Sequence, residues 1–274
     1  MRDGLAGHTL FSNANRRRLE HWTWMPPGRH RELPVVVLLH GVRDAGGFVW
    51  WEKGSADVTA ARLVADGEVP PFCLVMPGDT GAEQGSGYCD WHDGTTAAET
   101  YLMRELLPWI DAELPVSGAR HVGGLSMGGY GALLLALRNP GVFRSASATS
   151  GFFQPHRLFD YVPDARRRMW GDDDAVMEAH DVVALVADTR RRAGLDLAFD
   201  CGTEDPLLAV NRAFHAHLDG LGVAHGYVER PGGHEWGYWS DRLAHHLRFH
   251  LGGGGELAAH PPVSLPARSE VTRT

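Results

Sequence analysis

The run Gly123-Gly124-Leu125-Ser126-Met127-Gly128-Gly129-Tyr130-Gly131 decides how this chain is read. A β-compatible segment, Arg120-His121-Val122, precedes it. The apolar stretch from Tyr130 to Leu137 follows it until Asn139-Pro140 stops the pattern. Strand, sharp turn and buried helix in that order make a nucleophile elbow with Ser126 at its apex. The residue types fit the geometry: a serine on so tight a turn sits on strained backbone, and side chains two positions either side would collide, so glycine is needed at 124 and 128. The turn also aims the first amides of the helix at a reacting carbonyl, where negative charge develops. With 34 glycines in 274 residues the five-residue pattern alone carries little weight. The surrounding chain has to supply the rest.

A serine nucleophile needs a base, and there are 16 histidines. His234 stands apart because it lies in Pro231-Gly232-Gly233-His234-Glu235-Trp236, a loop directly after the strand-like Ala224 to Glu229. Loops at the carboxyl ends of strands are where open α/β sheets build their sites. His245, His246 and His250 fall in a helical stretch expected to be a solvated face, His260 falls in a tail, and His225 opens the strand. For the acid, Leu195 to Gly202 reads as a strand and Thr203-Glu204-Asp205-Pro206 as the turn after it. Asp205 is the favoured carboxylate to orient His234, and Glu204 stays open as the alternative. Asp200, inside the strand, is assigned to packing or a local hydrogen bond. The order Ser126, Asp205, His234 is that of α/β-hydrolases. Upstream, Pro34 to Leu39 is a nearly continuous apolar run ending in His40-Gly41-Val42. In such an architecture the amide of Met127 is one oxyanion donor, and Val42, by position, the other. His40 is read as a structural histidine.

Five segments together resemble a known family: Leu38-Leu39-His40-Gly41, the stretch from Tyr101 to Asp111, Gly124-Leu125-Ser126-Met127-Gly128-Gly129-Tyr130-Gly131-Ala132, Gly202-Thr203-Glu204-Asp205, and Gly233-His234. The chain is similar to the esterase D family over about residues 8 to 250. That family groups S-formylglutathione hydrolase, feruloyl and acetylxylan esterases, enterochelin esterase-like proteins and antigen 85-type mycolyltransferases. The resemblance implies an α/β-hydrolase fold, with Ser126 as nucleophile, Asp205 as acid, His234 as base and Met127 and Val42 as oxyanion donors. It leaves the acyl group open.

The expected fold class is α/β: a mostly parallel eight-stranded sheet with helices on both faces. An antiparallel pair, Thr9 to Phe11 with Leu19 to Met25, turns at Asn13-Ala14-Asn15, and Arg16 to Arg18 belong to the solvated turn. Further strands are expected at about 35–39, 72–76, 120–124, 145–150, 195–201 and 224–230. One domain spans 1–251 with a small cap at about 152–192, in which Asp172-Asp173-Asp174 starts a helix. A flexible tail follows over 252–274.

A net charge of −8 without a long basic run gives no electrostatic support to a nucleic-acid partner. No segment approaches the roughly 20 apolar residues of a membrane helix, and Met1 to His8 lacks a signal core, so a cytoplasmic location is expected. Cys73 and Cys201 fall in strands as small core residues, whereas Cys89 lies in a loop and is open to exposure. No cofactor is expected. No metal site is expected either, His92 with Asp90 and Asp93 being the nearest approach to one. Nine tryptophans, several beside the catalytic loops, suggest an aromatic-walled acyl pocket, with Trp50, Trp51, Trp91, Trp170 and Trp236 as the candidate substrate contacts. The expected activity is that of a serine carboxylic ester hydrolase acting through an acyl-enzyme on a small-molecule ester. An acyltransferase with the same residues is the alternative, and a non-catalytic binding protein on the same scaffold the third reading.

Overall fold

Residues alternate between two cores along the third strand, which is why its sequence is apolar without interruption. In the computed structural model, β3 (Leu33–Leu39) sends Val35, Val37 and Leu39 to one face of the sheet and Val36 and Leu38 to the other, all of them buried. A side chain of this type contributes about 1.5–3 kcal/mol when fully removed from water. Both faces must therefore be covered, and helices cover them. The structure describes residues 2–252 except positions 45, 79, 81–84, 161 and 163. The tail expected over 252–274 lies, beyond Gly252, outside the described residues.

The eight strands are β1 (Leu5–Ser12), β2 (Arg17–Trp24), β3, β4 (Cys73–Pro77), β5 (Val116–Leu125), β6 (Ser145–Thr149), β7 (Asp196–Gly202) and β8 (Gly226–Arg230). They pair in the order β1-β2-β4-β3-β5-β6-β7-β8. β1 with β2 and β2 with β4 are antiparallel, and every pair from β4 to β8 is parallel. The expected α/β-hydrolase sheet is thus present with its antiparallel edge. Arg17 and Arg18 belong to β2 rather than to the turn, because the hairpin closes earlier, at Arg16, whose φ is 51°.

The helix Met127–Arg138 lies on one face with all but its last residue buried. It packs so closely on the sheet that a Cβ at Gly128 would strike the carbonyl of Leu39, and one at Gly124 would strike Gly128. Those contacts are the physical reason for glycine at both positions. The helix Trp236–Leu251 lies on the other face with Ala56–Ala65.

Beneath Trp236–Leu251 the sheet is polar, and there the expected solvated histidines are not solvated. His245, His246 and His250 are 6, 4 and 3 % exposed. Strand β6 alternates Ser145, Ser147 and Thr149 with alanines, and its hydroxyls meet the helix. Ser145 and Ser147 bond the two nitrogens of His250 at 2.7 and 2.9 Å, and Thr149 bonds His246 Nε2 at 2.8 Å. Asp200, fully buried, accepts from Arg242 at 2.7 Å and from His246 at 2.9 Å. Burial pushes the Asp200 carboxyl up, but the charges and hydrogen bonds of His246 and Arg242 outweigh it and hold the group below its ordinary value. Cys89, expected to be open to exposure, is buried, as are Cys73 and Cys201. Its loop turns under the elbow helix, where the Tyr88 ring fills the space over Gly131.

Two expectations follow. Burial holds His21, His121 and His245 at pKa values of about 4, and His250 well below its ordinary value. These groups bind protons more weakly folded than unfolded, so each withdraws stability as pH falls from about 6.5 toward 4, at up to about 1.4 kcal/mol per pH unit. Asp200 adds the same sign once pH falls through its lowered value. Urea midpoints should drop steeply from pH 7 to pH 5, and a pH-independent midpoint would rule out that His21, His121, His245 and His250 are neutral in the fold. Burial also raises all three thiols, that of Cys73 to about 12. A colorimetric thiol reagent should therefore titrate no thiol in the native chain and three in guanidinium chloride.

Candidate active site

Ser126 stands at the junction of β5 and the helix Met127–Arg138 with φ 52° and ψ −118°. A non-glycine residue in that region is strained by about 1–3 kcal/mol. Its amide donates to the carbonyl of Thr149 at the end of β6, at 2.9 Å, and its own carbonyl accepts from Tyr130 at 3.1 Å. The turn is thus tied to the neighbouring strand and to its own helix.

Three loops at the carboxyl ends of β5, β7 and β8 bring Ser126, Asp205 and His234 into one chain of hydrogen bonds. His234 Nε2 lies 3.0 Å from Ser126 Oγ, and His234 Nδ1 lies 2.9 Å from Asp205 Oδ2. Glu204, the alternative acid, is exposed and directs its carboxylate at Thr203. The two loops are locked together, since Thr203 donates to Arg230 and Glu204 to the carbonyl of Gly232. A side chain at Gly202 would collide with that same carbonyl. The Asp205 carboxylate is wholly buried and His234 is 29 % exposed. Burial raises the Asp205 carboxyl, but bonds from His234, the Leu207 amide at 2.8 Å and the Ser150 hydroxyl outweigh it and leave the group below its ordinary value. An ionised Asp205 requires its partner Nδ1 to carry a proton, which leaves Nε2 to accept from Ser126.

Sequence reasoning gave Ser150 no role and took Trp239 only as one of the aromatics that follow His234. Ser150 follows β6 with φ 51° and is fully buried. Its hydroxyl accepts from the Trp239 indole at 3.1 Å and reaches Asp205. The Trp239 ring stands edge-on to His234, centroids 4.9 Å apart at 90°. A serine that ends one strand and a tryptophan a turn into the last helix have no spacing signature. Their pairing appears only once β6 lies beside β7.

The oxyanion candidates are adjacent. A Cβ added to Gly85 would lie 2.5 Å from Met127 Sδ and 2.8 Å from Val42 Cγ2, so these two residues flank one point. A Cβ on Gly41 would lie 3.6 Å from Ser126 Cβ, which puts the loop after β3 against the serine. Asp44 accepts from the Gly41 amide at 3.2 Å, and Tyr88 donates to the His40 carbonyl at 2.9 Å. His40 is buried, and its Nδ1 lies 2.9 Å from the carbonyl of Gly41.

The five tryptophans separate. Trp236 is half-buried and joins Trp239 edge-on at 5.4 Å, one ring away from His234. Trp50 is 3 % exposed and packs beneath Trp236. Trp51 faces Trp22 and Arg2 at the outer strands. Trp91 lies under the Arg168 guanidinium, and Trp170 is buried against Phe159 and His180. For Trp50, Trp91 and Trp170 the expected substrate contact gives way to packing, because protein covers nearly all of their surface. The His92 cluster does not assemble: Asp93 is held by Thr95 and Arg168, and Asp90 by Thr100. Asp173 does cap a helix, accepting from the Ala175 amide at 2.9 Å. Among the described residues, no helix is long and apolar enough to cross a membrane.

Comparison with known proteins bears on the family and the fold. The family model Esterase matches residues 12–250. An acetyl esterase of Caldicellulosiruptor saccharolyticus is 27% identical over 227 residues, covering 77% of this chain and 81% of that protein. Esterase Rv1288 of Mycobacterium tuberculosis is 29% identical over 238 residues, 74% of this chain but only 49% of that protein. The chain thus spans about half the length of that relative. Among solved structures, a ferulic acid esterase superposes with a TM-score of 0.79 at 29% identity, covering 90% of this chain and 96% of that one. An S-formylglutathione hydrolase from Agrobacterium tumefaciens gives 0.78 at 23%, covering 92% and 95%, which speaks for the fold. The match over most of the chain, on an α/β-hydrolase sheet, shows that this protein belongs to the Esterase family and is a carboxylic ester hydrolase.

Proposed function

We propose that the protein cleaves small or medium, aromatic-compatible acyl esters through a covalent acyl-enzyme on Ser126. The observation that carries this reading is the Ser126–His234–Asp205 chain, with contacts of 3.0 and 2.9 Å already made. His234 Nε2 takes the Ser126 proton as Oγ attacks the acyl carbonyl. The carbonyl electron pair moves onto oxygen, and the amides of Met127 and Val42 stabilise that charge. Collapse of the tetrahedral intermediate expels the alcohol, which receives the proton from His234, and water repeats the sequence to free the acid. The part-exposed His234 gives water a route to the acyl-enzyme, which favours hydrolysis over transfer. Trp236 and the edge of Trp239 supply an aromatic surface beside the base, and the likeness to a ferulic acid esterase points the same way. The segment 152–192 would act as a cap: Phe152 stacks on Tyr130 at 4.9 Å, and Tyr130 donates to the carbonyl of His180.

A fluorophosphonate probe should label the wild type at Ser126, and Ser126→Ala should lose both label and turnover of p-nitrophenyl and hydroxycinnamoyl esters while keeping its fold. Turnover by Ser126→Ala would refute the nucleophile. Asp205→Asn should cost on the order of 10⁴ in turnover and Glu204→Gln little. Product partition with added alcohols separates the two reactions, since a transferred acyl group would reveal the acyltransferase. Ser150→Ala leaves the Trp239 indole unpaired in the interior and removes one donor from Asp205. It should lower stability by about 1–3 kcal/mol in urea titrations and slow turnover. An unchanged midpoint and rate would show that the hydroxyl does not position the acid.

A further inference from the structure

The helix Leu208–Gly220 and the turn into β8 carry a cluster that ester cleavage does not use. His215 and Asp219 stand one turn apart on the helix, and His225 precedes β8. One ligating atom from each lies within 4.8 Å of the others. The hydrogen bonds fix where the lone pairs are. His225 Nδ1 lies 2.7 Å from the carbonyl oxygen of Val223, which only accepts, so Nδ1 carries the proton and Nε2 is bare. That bare nitrogen faces His215 Nδ1 at 2.7 Å, so in the neutral pair His215 donates from Nδ1 and its own Nε2 is bare in turn. His215 Nε2 then faces Asp219 Oδ2 at 3.5 Å, acceptor against acceptor. Such a convergence of lone pairs is relieved by a positive charge, either a second proton on His215 or a metal ion.

We propose that His215, Asp219 and His225 bind a divalent cation of the zinc class. Two imidazoles and one carboxylate suit Zn²⁺, Co²⁺ or Ni²⁺, whereas Ca²⁺ and Mg²⁺ prefer an all-oxygen set. His225 already has the outer contact typical of a ligating histidine, its far N–H held by a backbone carbonyl so that Nε2 points at the ion. Both rings are packed: His225 lies on Phe199 at 5.7 Å and 11°, and His215 on Tyr227 at 4.6 Å. Ligation through the two bare Nε2 atoms gives up the 2.7 Å bond that His215 Nδ1 donates to His225 Nε2. Asp219, whose side chain is 62% exposed, is free to swing toward the ion. The nearby Glu229 is committed elsewhere, to Arg212 and Tyr227. The bound ion would join the helix that starts just after Asp205 to the edge strand that ends just before His234. It would brace the two loops without entering the chemistry.

The test uses the full chain freed of metal by chelation and titrated with zinc chloride by calorimetry and thermal unfolding. Wild type should bind one equivalent, and its melting temperature should rise by roughly 5 °C at a hundredfold excess over Kd. His225→Gln and Asp219→Asn should bind at least tenfold more weakly and lose the rise, while keeping ester turnover in chelator. Co²⁺ should give a visible absorption band in wild type and in neither variant. Asp219→Asn changes an exposed side chain, so it tests the site even where His225→Gln disturbs the fold. Because His234 also offers an imidazole, His234→Gln should retain the rise. No binding by the wild type, equal binding by both variants, or loss in His234→Gln would each overturn the site.

Discussion

The fit of Gly128 against the carbonyl of Leu39 is the constraint from which the rest of the architecture follows. It lets the elbow helix approach the sheet closely enough for Ser126 to be forced into a left-handed turn. That turn lifts the hydroxyl above the strand ends and leaves the first amides of the helix facing the same space. A methyl group at 128 would press the helix off the strand, and the serine would relax with it. The strain at Ser126 is therefore sustained by close packing together with the backbone bonds that tie the turn to Thr149 and Tyr130.

Two polar systems with different purposes occupy the sheet. One is the line from Ser126 through His234 to Asp205, open to solvent at its base. The other is the buried layer of Asp200, Arg242, His246 and His250 on the hydroxyls of β6. Ser150 connects them, since its amide donates to the carbonyl of Asp200 while its hydroxyl serves Asp205 and Trp239. Removing one partner from the buried layer exposes the other to a desolvated environment, and that penalty exceeds the worth of the pair itself.

Much of this was legible in the sequence. The apolar Val35-Val36-Val37-Leu38-Leu39 and the glycines around Ser126 are local patterns that the fold keeps, and Ser126, Asp205 and His234, expected from their order along the chain, join in one chain of hydrogen bonds. The histidines of the last helix were misread for a physical reason: an imidazole counts as polar in a periodicity, and the hydroxyls that receive it lie about a hundred residues away on β6. The alternation Ser145-Ala146-Ser147-Ala148-Thr149 was the available signal, a strand with one face lined by hydroxyls. Tryptophan proximity in sequence likewise did not say which rings face outward. Loops fold back on themselves, and three of the five candidates ended inside.

The last helix starts two residues after His234, presents Trp239 to the imidazole in its first turn, and is held to the sheet along its remaining length by buried polar bonds. His234 therefore sits in a short loop whose far end is an anchored helix. The reacting groups meet at bonding distance before any ester arrives, so little orientational entropy remains to be lost on the way to the transition state. In such an enzyme the nucleophile is indiscriminate by construction. Selectivity among esters then falls to the contacts each one makes around Ser126 in the transition state.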